Sequence, residues 1–239
     1  MELQESKNII AEAKNIYLIT SQEPEAITSI LALFYTLKEL NKNVNLIIDT
    51  LPVNLKFLTP PLDFISYPKN FVISIPSNVA QISQIYYEKN NDALKIHLTL
   101  ENGNIKKDNI AFYFSEAKPD LIITLGIKDY YKELSDKLNS FGFLLDSPIL
   151  NIDSSHNPAT QTDNKKFGRI NILGENSLSE TVFNIIENLN ERSATCLLTG
   201  LVIYTDNFKN KLTAGIFQTA SDLMKKGGNL EEIVKNIYK

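Results

Sequence analysis

The chain predicts an α/β fold: a mostly parallel central sheet flanked by helices, with an inserted antiparallel β-hairpin. Three observations carry that reading. Short runs of aliphatic and β-branched residues recur at 16–20, 44–48, 121–125 and 149–152, the texture of strands buried on both faces. Between the first two lies one amphipathic stretch of helical length, so strand, helix and strand form a βαβ unit and pair in parallel. The segment 82–114 instead alternates apolar and polar residues and is broken by turn residues, the pattern of antiparallel strands with one face in water.

In chain order, residues 1–14 are polar and charged and read as a helix rather than a secretory leader. Residues 16–20 form the first strand, and Ser21-Gln22-Glu23-Pro24 is a turn. The helix 25–40 follows, with Ile27, Ile30, Leu31, Phe34 and Leu37 on one face and Asn41 as its C-terminal cap. After the strand 44–48, residues 71–75 read as another strand. The hairpin takes residues 82–87 and 94–100, with turns at Asn90-Asn91-Asp92 and at Glu101-Asn102-Gly103-Asn104, inside an insertion at about 76–116. The strand 121–125, a helix 129–139 and the strand 149–152 resume the parallel pattern. Helices are expected at 177–189, 191–204 and 213–226, the last stopped by Gly227-Gly228. Asn229 caps a final amphipathic helix, 230–238.

With 239 residues, 43% of them hydrophobic and 22% charged, the chain has enough apolar material for one sizeable core. The net charge of −4 disfavours tight duplex DNA binding, which needs many phosphates neutralised. A single cysteine, Cys196, excludes an intrachain disulfide and fits a reducing, cytoplasmic setting; within its apolar run it reads as a buried thiol. No apolar run approaches the ~18 residues of a membrane span.

Four motifs, in order along nearly the whole chain, resemble the DHH phosphoesterase family of RecJ-type and nanoRNase-type enzymes. Ser21, Pro24, Ala26, Ile27 and Ser29 match its opening Ser-His-x-x-Pro-Asp-x-Asp-Ala-x-Gly-Ser. Residues 119–125 match the strand that in the family ends in a metal-binding aspartate. Asn151-Ile152-Asp153-Ser154-Ser155-His156 sits where the family carries Asn-Ile-Asp-His-His. It is followed by an Asn-x-x-Phe-Gly piece ending at Phe167-Gly168 and by Ser177, Ser179 and Glu180. Thr199-Gly200-Leu201-Val202 and Phe208 resemble the family's Thr-Gly-Ile-x-x-Asp-Thr-Gly-x-Phe. The resemblance implies two divalent cations, usually manganese, held at the carboxyl ends of parallel strands to generate hydroxide and polarise a phosphoryl group.

This sequence departs from the family at nearly every ligand position. Gln22 stands for a histidine, Glu25 is the one acid of the opening turn, and Gly126 stands where the second strand should reach aspartate. Ser154 and Ser155 replace the two histidines, and Tyr204 replaces the aspartate of the fourth motif. Asp153 alone is kept. Glu25, Asp153, His156 and Asp206 are the residues that could still hold a metal, were the loops to bring them together. Two cations ~4 Å apart need several anionic ligands to offset their repulsion, and this set is poor for that.

Each candidate also has a structural reading. Asp153 is read as the cap of the loop after its strand, Glu25 as a helix first-turn carboxylate, and His156 as a loop histidine beside Asn157-Pro158. Ser154 and Ser155 lack the Gly-x-Ser-x-Gly surroundings of a nucleophile and read as turn residues. Gly227-Gly228 is a helix stop rather than a phosphate loop. His97 is read as a solvent-facing strand residue. Tyr86, Tyr87, Phe112 and Tyr113 could stack on nucleobases, but in alternating strands they are read as half-buried packing.

The expectation is therefore a single DHH-like domain over residues 1–239, without the family's second, substrate-gripping domain. It is read as catalytically inactive and cofactor-free, retained for binding or assembly, with a homodimer through the hairpin edge. Two alternatives stand beside it. One is a divergent phosphoesterase that uses Mn2+ or another divalent cation on short oligonucleotides or nucleotide phosphates. The other is a module that binds a nucleotide or single-stranded oligonucleotide without metal.

Overall fold

The computed structural model describes residues 2–48, 50–60, 69–116, 118–134, 147–154, 167–175 and 177–238. Its elements are α1 (Glu2–Glu12), β1 (Asn15–Thr20), α2 (Pro24–Glu39), β2 (Asn43–Ile47), a 3-10 turn (Val53–Leu58), β3 (Lys69–Ser74), β4 (Ala80–Lys89) and β5 (Leu94–Gly103). A short 3-10 turn (Lys107–Asn109) leads to β6 (Ala111–Glu116), β7 (Leu121–Leu125), α3 (Tyr130–Glu133), β8 (Ile149–Ser154) and β9 (Ile170–Gly174). The chain closes with α4 (Leu178–Ile185), α5 (Glu191–Tyr204), α6 (Ala214–Lys225) and α7 (Leu230–Ile237). Cα packing divides the chain into two units, residues 1–68 with 118–239, and residues 69–117.

The first unit carries an all-parallel five-stranded sheet in the order β2-β1-β7-β8-β9. The three inner strands are buried almost throughout, which is why their sequences are continuous apolar runs rather than alternations. Alternate side chains feed two cores. Ile16, Leu18, Ile123, Leu125 and Ile152 face α2, α4 and α5, whereas Tyr17, Ile19, Ile122 and Ile149 face α3 through Tyr130 and Leu134. α2 and α3 thus lie on opposite faces. The chain leaves β1 towards one side of the sheet, and β7 leads towards the other. β1 and β7 therefore flank a topological switch point, where open α/β sheets form a ligand crevice at their carboxyl ends.

The helices start and stop where their terminal residues dictate. α2 begins with Pro24, whose missing N–H costs nothing at that position. It ends in a two-bond motif: Asn41 N–H donates to Lys38 O (2.9 Å) and Lys42 N–H to Leu37 O (3.1 Å), with Asn41 at φ 56°. Gly227 (φ 94°) and Gly228 close α6 in the same way, donating to Met224 O and Leu223 O. Ser177, Asn190, Thr213 and Asn229 cap α4, α5, α6 and α7 with side-chain oxygens. α5 lies close against α2 and α4 because Gly200 has no side chain: a Cβ there would run into Ser179 Oγ and come within 2.7 Å of Thr28 Oγ1. Hydroxyl pairs reinforce that approach, Ser29 with Ser179 (2.9 Å) and Thr36 with Ser193 (2.8 Å). Cys196 is fully buried within α5, and burial raises its thiol pKa.

The second unit holds two antiparallel ribbons, β3 with β6 and β4 with β5. Five expectations change here. The strand expected at residues 71–75 is antiparallel to β6 rather than part of the parallel run. The chain does not turn at Glu101-Asn102-Gly103, since β5 continues through these residues to pair with β4. Both faces of the β4–β5 ribbon meet solvent along most of its length, not one. Tyr86, Tyr87, Phe112 and Tyr113, expected half-buried, are exposed at 52%, 72%, 58% and 50%. His97 is half-buried instead of solvent-facing, its ring stacked on Tyr86 at 4.5 Å. Of the helix expected over 129–139, Tyr130–Glu133 is helical between the caps Asp129 and Leu134; residues 135–139 lie outside the described residues. The strand β9 and the 3-10 turn Val53–Leu58 were not expected from the sequence.

Candidate functional site

The candidate site is built at the carboxyl ends of β1, β7 and β8. After β1 the chain remains tied to β7, with Ser21 N–H donating to Leu125 O at 3.1 Å. Gln22 is exposed on this turn. Glu23 takes the N-cap position of α2 yet makes no side-chain cap bond. Its carboxylate pairs instead with Lys128 Nζ at 2.5 Å, across to the turn that follows β7.

Gly126 sits at the end of β7 with φ 65°, and its N–H donates to Ile152 O at 3.0 Å. A Cβ at this position would lie 2.9 Å from Ser21 Oγ and 3.1 Å from Ala26 Cβ. The left-handed backbone strains a side chain here, and its Cβ would press on Ser21 and Ala26, so the local packing disfavours an aspartate.

Glu25 lies in the first turn of α2. Its carboxylate accepts from Ser177 Oγ at 2.5 Å and from Ser179 N–H at 3.3 Å, so it joins α2 to the first turn of α4. Burial pushes its pKa from 4.5 up to about 7, while the Ser177 hydroxyl, the backbone N–H groups of Ser179 and Leu178, and Lys211 pull it down. Tyr204 ends α5 on the same side. Burial raises its phenol, the charges of Glu25 and Glu180 add to that, and Lys211 Nζ lies 4.4 Å from its ring centroid.

Asp153 is 2% exposed at the end of β8, and its Oδ1 accepts from Ser154 N–H at 2.8 Å. Below it, a polar ladder crosses three strands: Thr124 Oγ1 donates to Asn151 Oδ1 (2.9 Å), and Asn151 neighbours Asn171, which exchanges two bonds with the Gly168 backbone. Asp206 is far from this cluster in role. It lies in a left-handed turn (φ 48°), 3.8 Å from Lys209, and bonds the Tyr238 hydroxyl. Ser155 and His156 lie outside the described residues.

The sequence-derived positions divide accordingly. Gly126 and Asp153 meet at adjacent strand ends, whereas Glu25 and Tyr204 gather around α4, and Asp206 belongs to a separate turn. Among the described residues, no group of three or more His, Cys, Asp or Glu side chains is placed to hold a metal ion. The described residues fit a two-cation cage poorly: the Gly126 position offers no side-chain donor, and the Glu25 carboxylate is bonded to the first turn of α4. Sequence reasoning does not find the Glu23–Lys128 and Glu25–Ser177 pairs; the only hint is that acids and hydroxyls fall in turns that the fold brings together.

No protein-family model and no curated protein matches this chain. Among solved structures it is similar to an exopolyphosphatase-related protein from Bacteroides fragilis, with a TM-score of 0.64 and 20% identity. The likeness covers 99% of this chain and 60% of that one, so the chain spans about three fifths of its length. At this identity the shared property is the fold. No helix among the described residues is long and apolar enough to cross a membrane.

Proposed function

We propose that this chain is a DHH-type phosphoesterase-like scaffold that has lost two-metal catalysis and is kept for binding or assembly. The observation that carries the reading is Gly126: the resemblance implies a carboxylate there, and the left-handed backbone with Ser21 and Ala26 close by disfavours one. Glu25 supports it, because its carboxylate serves the N-terminus of α4. The crevice beside Asp153 is the surface retained for a ligand, and residues 69–117, with their exposed aromatic and aliphatic side chains, are the surface retained for assembly into a homodimer. The single cysteine suits a cytoplasmic setting.

The experiment is a thermal-shift titration of the chain with Mn2+, alone and with a nucleoside monophosphate or a short oligonucleotide. A metal site filled to about 100 times its Kd would add about 2.7 kcal/mol, several degrees of Tm. The expected result is no metal-dependent rise and no released phosphate or nucleotide. A metal-dependent rise would instead favour the divergent phosphoesterase, and a rise with nucleotide alone the metal-independent binding module.

A further inference from the structure

We propose that the apolar face of the β4–β5 ribbon is a dimer interface: it stacks on the same face of a second copy of this chain, forming a four-stranded sandwich with two-fold symmetry. The inference rests on the assembly half of the proposed function and names the face that carries it.

The strand register sorts the ribbon into two unlike faces. Side chains alternate along a strand, and residues paired across two strands share a face. Ile82 with Leu100, Ile85 with Leu98 and Tyr87 with Ile96 lie on one face, and Leu94 extends it to the tip opposite Lys89. Gln84 with Thr99, Tyr86 with His97 and Glu88 with Lys95 lie on the other. A bulge completes the apolar face. Ile82 and Ile85 are three residues apart, which in a regular strand puts them on opposite faces. The register shift skips Ser83 in the ladder, and its hydroxyl donates to Thr99 O at 3.1 Å. That extra residue returns Ile82 to the face of Ile85.

The polar face is occupied by its own groups. The rings of Tyr86 and His97 stack at 4.5 Å, and His97 Nε2 lies 3.7 Å from Glu88 Oε2. The apolar face is open instead: Ile85, Tyr87, Leu94, Ile96 and Leu100 are 37–72% exposed.

Area and charge both favour a second copy as the occupant. Side chains of this kind and exposure offer on the order of 500 Å2 of apolar surface per copy. Two copies would bury about 1,000 Å2 in total, the lower bound of a specific interface, so the dimer is expected to be weak, with a Kd of roughly micromolar order. Residues 69–117 contain five lysines and five Asp or Glu, so this unit has no net charge and the chain's −4 lies elsewhere. Two such units approach without net repulsion, whereas a nucleic acid would ask for an excess of positive charge. Lys89 is the one charged residue in register with the strip. It sits beside the turn, where its stem covers apolar surface and its ammonium stays in water. A strip with almost wholly apolar demands is met by its own copy, sheet stacked on sheet ~10 Å apart, and an isologous pairing closes at two chains.

The test is sedimentation of the full chain from low to several hundred micromolar, with variants on each face. The parent, 27.0 kDa per chain, should move towards twice that mass as concentration rises. Ile96→Asp should weaken association at least ~30-fold while keeping the parent Tm in dilute solution. Thr99→Asp, on the polar face, should dimerise like the parent. Tyr87→Asp repeats the measurement should Ile96→Asp not fold. A dimeric parent whose Ile96→Asp and Tyr87→Asp variants associate equally well overturns this inference and leaves assembly through another surface standing. A Thr99→Asp variant that dissociates as Ile96→Asp does also overturns it. A parent that stays monomeric throughout overturns both this inference and the homodimer reading, and its cosedimentation with phosphatidylcholine vesicles would assign the strip to a lipid surface instead. The loss of catalysis is judged separately, by the Mn2+ titration.

Discussion

The parallel sheet and the antiparallel unit solve the burial problem in opposite ways. In the parallel unit, β1, β7 and β8 are covered on both faces, and the side chains of α2, α4 and α5 close one core. Between residues 69 and 117, the described part holds one buried hydrophobic side chain, Ala80, while ten of the seventeen large exposed hydrophobics of the described chain fall there. An isolated two-stranded ribbon is marginal in water. Stability therefore resides in the parallel unit, and the antiparallel one presents apolar surface that its own strands do not cover.

The sharpest way to break this contrast is to truncate the parallel core. Phe34→Ala, at a site 1% exposed, should cost about 3–5 kcal/mol in urea unfolding. Installing the family's carboxylate by Gly126→Asp should cost about 2–4 kcal/mol, from left-handed strain and overpacking against Ser21 and Ala26, and should create no Mn2+ dependence. A stable Gly126→Asp variant that gains metal-dependent stability would show that the β1 turn yields, and would restore the catalytic alternative.

The third prediction concerns pH. Glu25 has a folded pKa of about 7 against 4.5 for the ordinary carboxyl, so the folded state holds the proton more tightly. Its contribution is complete below pH 4.5 and is lost as pH rises through 7. Between pH 5 and 8 the chain should lose about 2 kcal/mol, somewhat less than the full shift implies because water reaches this half-buried group. Glu25→Gln should flatten that part of the stability profile; an unchanged slope would place the titration elsewhere. The smallest effect is expected in the ribbon. Ile85→Ala, at a site 69% exposed, should change unfolding by less than about 0.5 kcal/mol in dilute solution. A loss that grows with protein concentration would reveal a partner chain on that face, sharpening the contrast into a division between folding and assembly.

The sequence discloses buried structure better than exposed structure. Ile16, Leu18, Ile122 and Ile123 lie in runs that only a covered strand needs, and Asn41 and Gly227 mark helix ends by the backbone conformation they adopt. β9 escapes because an edge strand with partly covered residues has no such run. Residues 71–75 mislead for the converse reason: Phe71 and Ile73 look like core residues and are 58% and 42% exposed. At the site, the positions of Gly126 and Asp153 at adjacent strand ends are legible from the two apolar runs that precede them. The pairs that form around them are not, because Glu23 meets Lys128 and Glu25 meets Ser177 across more than a hundred residues. Such pairings depend on the order of strands in the sheet, which local pattern does not contain.

The pairing of Lys69 with Glu116 has a kinetic consequence. The chain enters and leaves the antiparallel unit at adjacent points, so once β3 and β6 have zipped together, the long connection from β2 to β7 behaves as a much shorter tether. Each halving of an effective loop lowers its closure cost by about 0.6 kcal/mol. A segment that contributes little to the folded core can thus act as a clasp during folding, hastening the arrival of β7 beside β1 and with it the formation of the crevice they flank.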